Sequence, residues 1–329
     1  MKSLYRPVLA VLCVLLTGGA LAAEPDTLVL ERTIPLGNAS GRIDHLTVDL
    51  VRQRLFVAEL GNDSVGVVDL KEGRLLKTLT GLSEPQGVGY VAPTDELYVA
   101  NGGDGTVRIY GGDDLSFRGQ IRLGEDADNV RVTEEPARVL VGYGSGALAV
   151  IDPRKRALIA DIKFKGHPEG FQIVPGTDHV IVNVPDAQGM AVLDLKSARQ
   201  ATFWPLHDLR DNYPMAVGET AVDVWLATRS PARLLAMNAT TGARTTLLDS
   251  CGDADDVFTD SKRHRIYVSC GSGFIDVWER QDATYRRVAH QATPSGARTS
   301  LFVPSLDRLY LAVRATPGKP AAIWIYRLQ

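Results

Sequence analysis

The chain has no excess of positive charge, few cysteines and no apolar run that could cross a bilayer. Its 36 Lys plus Arg stand against 39 Asp plus Glu, a net of −3, which argues against nucleic acid as a partner. The apolar stretch at residues 8–16 falls far short of the ~20 residues a spanning helix needs. It follows Lys2 and Arg6 and precedes Ala20-Leu21-Ala22-Ala23, the layout of a secretory leader with a small-residue cleavage site. Residues 1–23 therefore read as a signal peptide, and residues 24–329 as an exported chain, periplasmic or secreted, with no membrane span. Leu12 before Cys13 is not the small residue that lipoprotein processing requires. Cleavage would leave 34 cations against 39 anions, a net of −5, and two cysteines, Cys251 and Cys270.

Catalytic signatures are also missing. The sequence holds no Walker loop, no Ser-His-Asp set, no His-Glu-x-x-His helix, no haem attachment motif and no quinone-cofactor signature. Gly142-Tyr143-Gly144-Ser145-Gly146 suggests a dinucleotide loop, but that fingerprint must open a helix and residues 147–152 have the pattern of a strand. It reads as a hairpin turn, as does Asn101-Gly102-Gly103-Asp104-Gly105. Asp126-Ala127-Asp128-Asn129 and Asp253-Ala254-Asp255-Asp256 begin like calcium loops, yet Val130 and Val257 occupy the fifth positions and no glycine follows, so they are not EF-hands.

What the chain does have is a repeat. The segments Leu55-Phe56-Val57-Ala58, Leu97-Tyr98-Val99-Ala100, Val139-Leu140-Val141-Gly142, Val180-Ile181-Val182-Asn183, Val224-Trp225-Leu226-Ala227, Ile266-Tyr267-Val268-Ser269 and Leu309-Tyr310-Leu311-Ala312 recur at steps of 42, 42, 41, 44, 42 and 43 residues. Each is followed by a Gly/Asn/Asp-rich turn and a further apolar strand, such as Val65-Gly66-Val67-Val68-Asp69, and then by an outer strand, such as residues 75–79 or 157–162. Four short strands per unit at this period predict an all-β fold, a seven-bladed β-propeller. The chain stops after the third strand of unit seven, and residues 28–36 have the alternation of an outer strand. Pairing the two would close the ring and remove two open edges. No linker or composition break interrupts residues 24–329, so one domain, read as a monomer, accommodates the whole mature chain.

If residues 255–259 and 265–269 form a hairpin, Cys251 and Cys270 fall at its same open end, which suits a disulfide in an oxidising compartment. Two buried thiols, or a reactive or metal-binding pair, are the alternatives, although no histidine lies at a ligand-like spacing from either cysteine.

The crossings that enter each inner strand are polar where the strands are apolar. They are Arg42-Ile43-Asp44-His45, Glu84-Pro85-Gln86-Gly87, Asp126-Ala127-Asp128-Asn129, His167-Pro168-Glu169-Gly170, Asp211-Asn212-Tyr213-Pro214, Asp253-Ala254-Asp255-Asp256 and Gly296-Ala297-Arg298-Thr299. Turn chemistry alone favours Asp, Asn and Pro here. A ligand site at the mouth of the channel is the other reading, and it would draw on Arg42, Asp44, His45, Gln86, Asp128, Asn129, His167, Glu169, Asn212, Asp255, Asp256 and Arg298. The cations fall on units seven and one and the aspartates on units three, five and six, which predicts a mouth with one positive and one negative side. His179, His207, His264 and His290 lie elsewhere in the repeat and read as surface or strand-end residues.

Pro-x-Gly before the inner strand, then Leu-Tyr-Val-Ala-Asn, as in Glu84-Pro85-Gln86-Gly87-Val88 and Leu97-Tyr98-Val99-Ala100-Asn101, resembles the YVTN-type β-propeller repeat, most closely that of the exported YncE-like proteins. Units five and seven depart from it with Trp225-Leu226-Ala227-Thr228 and Leu311-Ala312-Val313-Arg314. The resemblance implies a fold and a compartment rather than a reaction. The leading expectation is a periplasmic binding or interaction module, without cofactor or catalysis, that holds a small molecule or a partner protein. The competing one resembles the cation-dependent propeller lactonases and lyases, with a divalent cation on Asp128, Glu169 and Asp255. An accessory subunit of an exported redox enzyme is the third.

Overall fold

The structure, a computed structural model, describes residues 27–220 and 222–329. The expected signal peptide lies outside the described residues. Seven four-stranded antiparallel sheets stand in a ring, each built from consecutive strands. Blade one, for example, runs from the axis outward through Leu46–Asp49, Arg54–Glu59, Ser64–Asp69 and Arg74–Leu79. The two middle strands are buried almost throughout and the outer strand is mostly half-buried or exposed, because both faces of a blade's middle are covered by neighbouring blades.

The core is correspondingly divided. Seven apolar clusters occupy the seven interfaces between successive blades. Phe56, Val65 and Val67 of blade one meet Val88, Leu97 and Val99 of blade two, and Leu55 and Val57 meet Tyr310 and Ile323 of blade seven. The β-branched and aromatic residues that mark the repeat are thus the interlocking surface between blades.

Closure is as the repeat predicts. Leu28–Pro35 pairs antiparallel with Ala322–Leu328, from Leu28 opposite Leu328 to Pro35 opposite Ala322, and completes blade seven with Arg308–Val313 and Ser300–Val303. The glycine-rich segment 144–146 joins the strands Ala137–Tyr143 and Ala147–Asp152, a hairpin turn. Cys251 and Cys270 form a disulfide with their Cα atoms 5.9 Å apart, at the open end of the hairpin Ala254–Asp260 and Arg265–Cys270. Among the described residues no helix is long and apolar enough to cross a membrane.

Candidate functional site

Strand register turns the sequence repeat into geometry. The repeat residues Val57, Val99, Val141, Val182, Leu226, Val268 and Leu311 face Leu46, Val88, Val130, Phe171, Met215, Val257 and Ser300 of their inner strands. Two positions before these partners stand Asp44, Gln86, Asp128, Glu169, Tyr213, Asp255 and Arg298. Five of the seven line one axial cavity of about 300 Å³, namely Asp44, Asp128, Glu169, Tyr213 and Asp255. His45, Asn129, Asp256 and Arg42 also face it. Pairing slips at this point in blades two, three, five and six, and such bulges re-aim side chains at a sheet's rim.

Turn chemistry explains a different column. Four positions before the strand partners, Glu84, Asp126, Asp211, Asp253 and Gly296 have φ of 48°, 43°, 58°, 60° and 81°, the left-handed conformation that Asp and Gly tolerate best. In the remaining two blades the preceding glycine, Gly41 or Gly166, takes that conformation. The Pro-x-Gly signature has its own cause: a Cβ on Gly87 would stand 2.0 Å from the carbonyl oxygen of Asp128, and one on Gly170 would stand 2.4 Å from that of Tyr213. Neighbouring inner strands approach that closely here, and the Gly170 N–H donates to the Tyr213 carbonyl at 2.9 Å.

The expectation of one positive and one negative side is not met. Arg298 of blade seven reaches back to blade six, with Nη1 donating to Asp253 at 2.8 and 3.0 Å and Nε 3.2 Å from Asp255. Arg42 folds onto Asp44 of its own blade at 2.7 Å. Two cations that the sequence reading passed over complete the interleaving. Arg229, at the end of the strand Asp223–Ser230, donates to Asp255 and to the Ala254 carbonyl and lies 3.9 Å over the Tyr213 ring. In the repeat its place is held by Leu60, Gly102, Gly144, Pro185, Gly271 and Arg314, so the column shows a charge in blades five and seven alone. Arg131 stands in the channel beside Phe171, and its one side-chain hydrogen bond among the described residues goes to the Val130 carbonyl at 2.9 Å. Thr47, Gly89, Gln172, Ala216, Phe258 and Leu301 occupy the matching positions, which makes Arg131 the single charge in that row.

Of the other expected residues, Asn212 is not at the cavity. It is fully buried and its Nδ2 donates to Asn183 Oδ1 at 2.9 Å and the Gly189 carbonyl at 3.0 Å. Its column holds Ile43, Pro85, Ala127, Pro168, Ala254 and Ala297, all buried, so register rather than polarity decides which way it points. Gln86 turns to the rim, where Nε2 donates to Asp126 at 3.0 Å. Asp255, expected with Asp128 and Glu169 as a cation ligand, is held between Arg229 and Arg298. His167, which the sequence places two residues before Glu169, comes near both other acids: Asp128, His167 and Glu169 each bring one side-chain N or O atom to within 4.8 Å of the others.

Burial governs the protonation of the mouth. It pushes the Asp44 carboxyl up to about 8 against the pull of Arg42, and it pulls His45 down to about 4, leaving that ring neutral. Asp256 and Glu169 are both driven well above the usual carboxylate range, by burial first and by neighbouring acids second. Burial lowers His167 too, but Asp128, the Gly144 carbonyl and Glu169 outweigh it and hold the ring at about 9.

No family model matches the chain, and no curated protein matches it. Solved structures do. A chain from the "Crystal Structure of Mitotic Checkpoint Complex" superposes with a TM-score of 0.77 at 16% identity, covering 98% of this chain and 99% of its own. A chain of "Kuenenia stuttgartiensis Hydrazine Synthase" gives 0.74 at 15% identity, with 88% and 95% covered. The chain is a seven-bladed β-propeller. Proteins this different, at such low identity, share the fold alone.

Proposed function

We propose that this propeller is an exported, YncE-like binding protein that holds a small polar molecule at the mouth of its channel and has no catalysis of its own. The observation that carries the reading is the convergence of Asp44, Asp128, Glu169, Asp255 and Asp256 with Arg131 on one cavity of about 300 Å³. Turn formation requires none of them, because the left-handed turn residue of each crossing, Gly41, Asp126, Gly166 or Asp253, comes two to five residues earlier. A cavity with a few convergent polar groups is the usual form of a small-molecule site. Arg298 and Arg42 are already paired, the latter with Asp44, so the anionic end of a ligand falls to Arg131, and a hydroxyl-bearing end to Glu169, whose raised carboxyl both donates and accepts. Hydroxy acids fit that division. The leader-like residues 1–23 and the disulfide support export.

A thermal-shift screen of amino acids, hydroxy acids, polyols and polyamines tests it. A ligand at a hundred times its Kd adds roughly 2.7 kcal/mol of stability, a readily visible shift. The expected hit carries both a carboxylate and a donor-rich end, and its shift disappears in Arg131→Gln. A screen in which only lysate proteins bind, and bind equally to the variant, would move the function to the rim loops.

A cation-dependent enzyme is the second reading, favoured by one observation, the approach of Asp128, His167 and Glu169 within 4.8 Å.

A further inference from the structure

Histidine 167 is held in one orientation by a backbone group. Its Nδ1 lies 2.7 Å from the carbonyl oxygen of Gly144, and since a carbonyl can only accept, Nδ1 carries the proton. Nε2 is therefore the nitrogen turned toward Oδ2 of Asp128, at 3.5 Å, beyond the ~2.7–3.2 Å of a hydrogen bond; in the imidazolium it carries the proton that a metal ion would displace.

Asp128 sharpens the point. Only 6% of the residue is exposed, and among the described residues its carboxylate accepts no hydrogen bond shorter than that 3.5 Å approach. The Glu169 side chain likewise has no hydrogen-bond partner among the described residues, and its carboxylate completes a set whose three ligand atoms lie within 4.8 Å of one another. A carboxylate as buried as that of Asp128 is costly without a donor, and it stands beside an imidazole whose Nε2 is turned toward it, with the half-buried Glu169 alongside. Asp126 adds a third anion, 3.5 Å from Nδ1, while Arg131 is the cation facing Asp128 from the channel.

We propose that Asp128, His167 and Glu169 bind a divalent first-row metal ion such as zinc, with its remaining coordination positions open to the axial cavity. Two carboxylate oxygens and one imidazole nitrogen suit zinc or its neighbours and disfavour magnesium and calcium, which prefer oxygen alone. Bonds of about 2.1 Å place tetrahedral ligands about 3.4 Å apart, so His167 and Asp128 already stand at nearly the required separation. A side-chain rotation of Glu169 closes the set. The Gly144 carbonyl plays the part of the outer partner that fixes a metal-binding imidazole. Asp255, held by two arginines, takes no share in it. The site deepens the reading of the mouth as a ligand site, because the open positions would meet a ligand's carboxylate or hydroxyl.

Equilibrium dialysis of chelator-treated mature protein against Zn²⁺, Mn²⁺ and Mg²⁺, with bound metal counted by mass spectrometry, tests the proposal. Wild type should retain one Zn²⁺ per chain and no Mg²⁺, with affinity weakened tenfold or more in His167→Gln and Asp128→Asn. His179→Gln, whose ring is 3.7 Å from Asp194, serves as the control and should bind as wild type does. Should a variant fail to fold, the cobalt spectrum of the wild type decides: one imidazole and two carboxylates support the site, and an all-oxygen shell overturns it. Retention of less than a tenth of an equivalent by wild type, or equal binding by all variants, also overturns it. Repeating the small-molecule screen on chelated protein separates the two claims: hits that bind without metal uphold the mouth and leave the metal claim to its own count, whereas a metal count of one with no hits upholds only the metal.

Discussion

Burial sets the protonation of the mouth side chain by side chain, and Asp44 gives the clearest consequence. Its carboxyl is pushed up to about 8, whereas an aspartate in the unfolded chain titrates near ~3.9. Between those values the folded chain holds the extra proton, so the stability contributed by Asp44 falls as pH rises through that window. Glu169 and Asp256 act in the same direction. Asp95, Asp104 and Asp307 are depressed, so their contributions are lost only on acidification and are flat over this range. His45, lowered to about 4, works the other way, but only below about 6.5. The melting temperature should therefore drop from pH 6.5 to pH 8.5, and Asp44→Asn, which mimics the protonated acid, should melt close to wild type at pH 6.5 and above it at pH 8.5. Parallel melting curves for the two proteins across that range would show a charged Asp44. Residue identity was legible in the sequence only where the repeat supplied a column to compare. The column of Asp44, Asp128, Glu169 and Asp255 could be read because six neighbours fixed its register. Asn212 was misjudged because polarity was weighed and its column of buried Ile, Ala and Pro was not, and Arg229 and Arg131 were missed because their charges arrive from a strand end and a strand interior rather than from the crossing.

At the scale of elements, the closing strand and the disulfide bear measurable loads. Leu28–Pro35 buries Leu28 and Ile34 at 3% and 0% exposure, and Leu36 beyond it at 1%. At roughly 1.5–3 kcal/mol for each such side chain, deletion of residues 27–36 removes about as much as a whole domain's margin of 5–15 kcal/mol. It also uncovers the edge Ala322–Leu328. The truncated chain should melt far lower than one shortened at the exposed turn 71–73, and should associate through the free edge; a monomeric truncation with unchanged melting would refute closure. The bond between Cys251 and Cys270 spans a sequence separation of 19 residues, a loop for which unfolded-chain entropy gives about 3 kcal/mol. Cys251→Ser should lower the free energy of unfolding in urea by roughly 2–4 kcal/mol, and identical urea midpoints would mean the bond adds nothing. Elements were the most legible level of this chain. Strand spacing, the missing seventh outer strand and the hairpin end shared by the cysteines all followed from a repeat that each blade must keep in order to interlock with the next.

The whole molecule owes its site to its symmetry. Seven equivalent crossings bring seven side chains to the mouth, five of them to the axial cavity, and because the apolar interfaces lie between the blades, the residues at the axis vary without cost to the core. The same freedom explains why the fold could be read from periodicity while its ligand could not: chains as different as those of a checkpoint complex and a hydrazine synthase share the ring. What is particular to this chain is the crowding of acids at the mouth, the single Arg131 in the channel row and the imidazole of His167 aimed at Asp128. The central claim is that these groups form a ligand site. Titration calorimetry of the best hit from the small-molecule screen, on wild type, Arg131→Gln and Glu169→Gln with far-UV spectra matched, tests it most directly. The account predicts a 1:1 complex in wild type that weakens at least tenfold, about 1.4 kcal/mol, in each variant; affinity unchanged in both would contradict it.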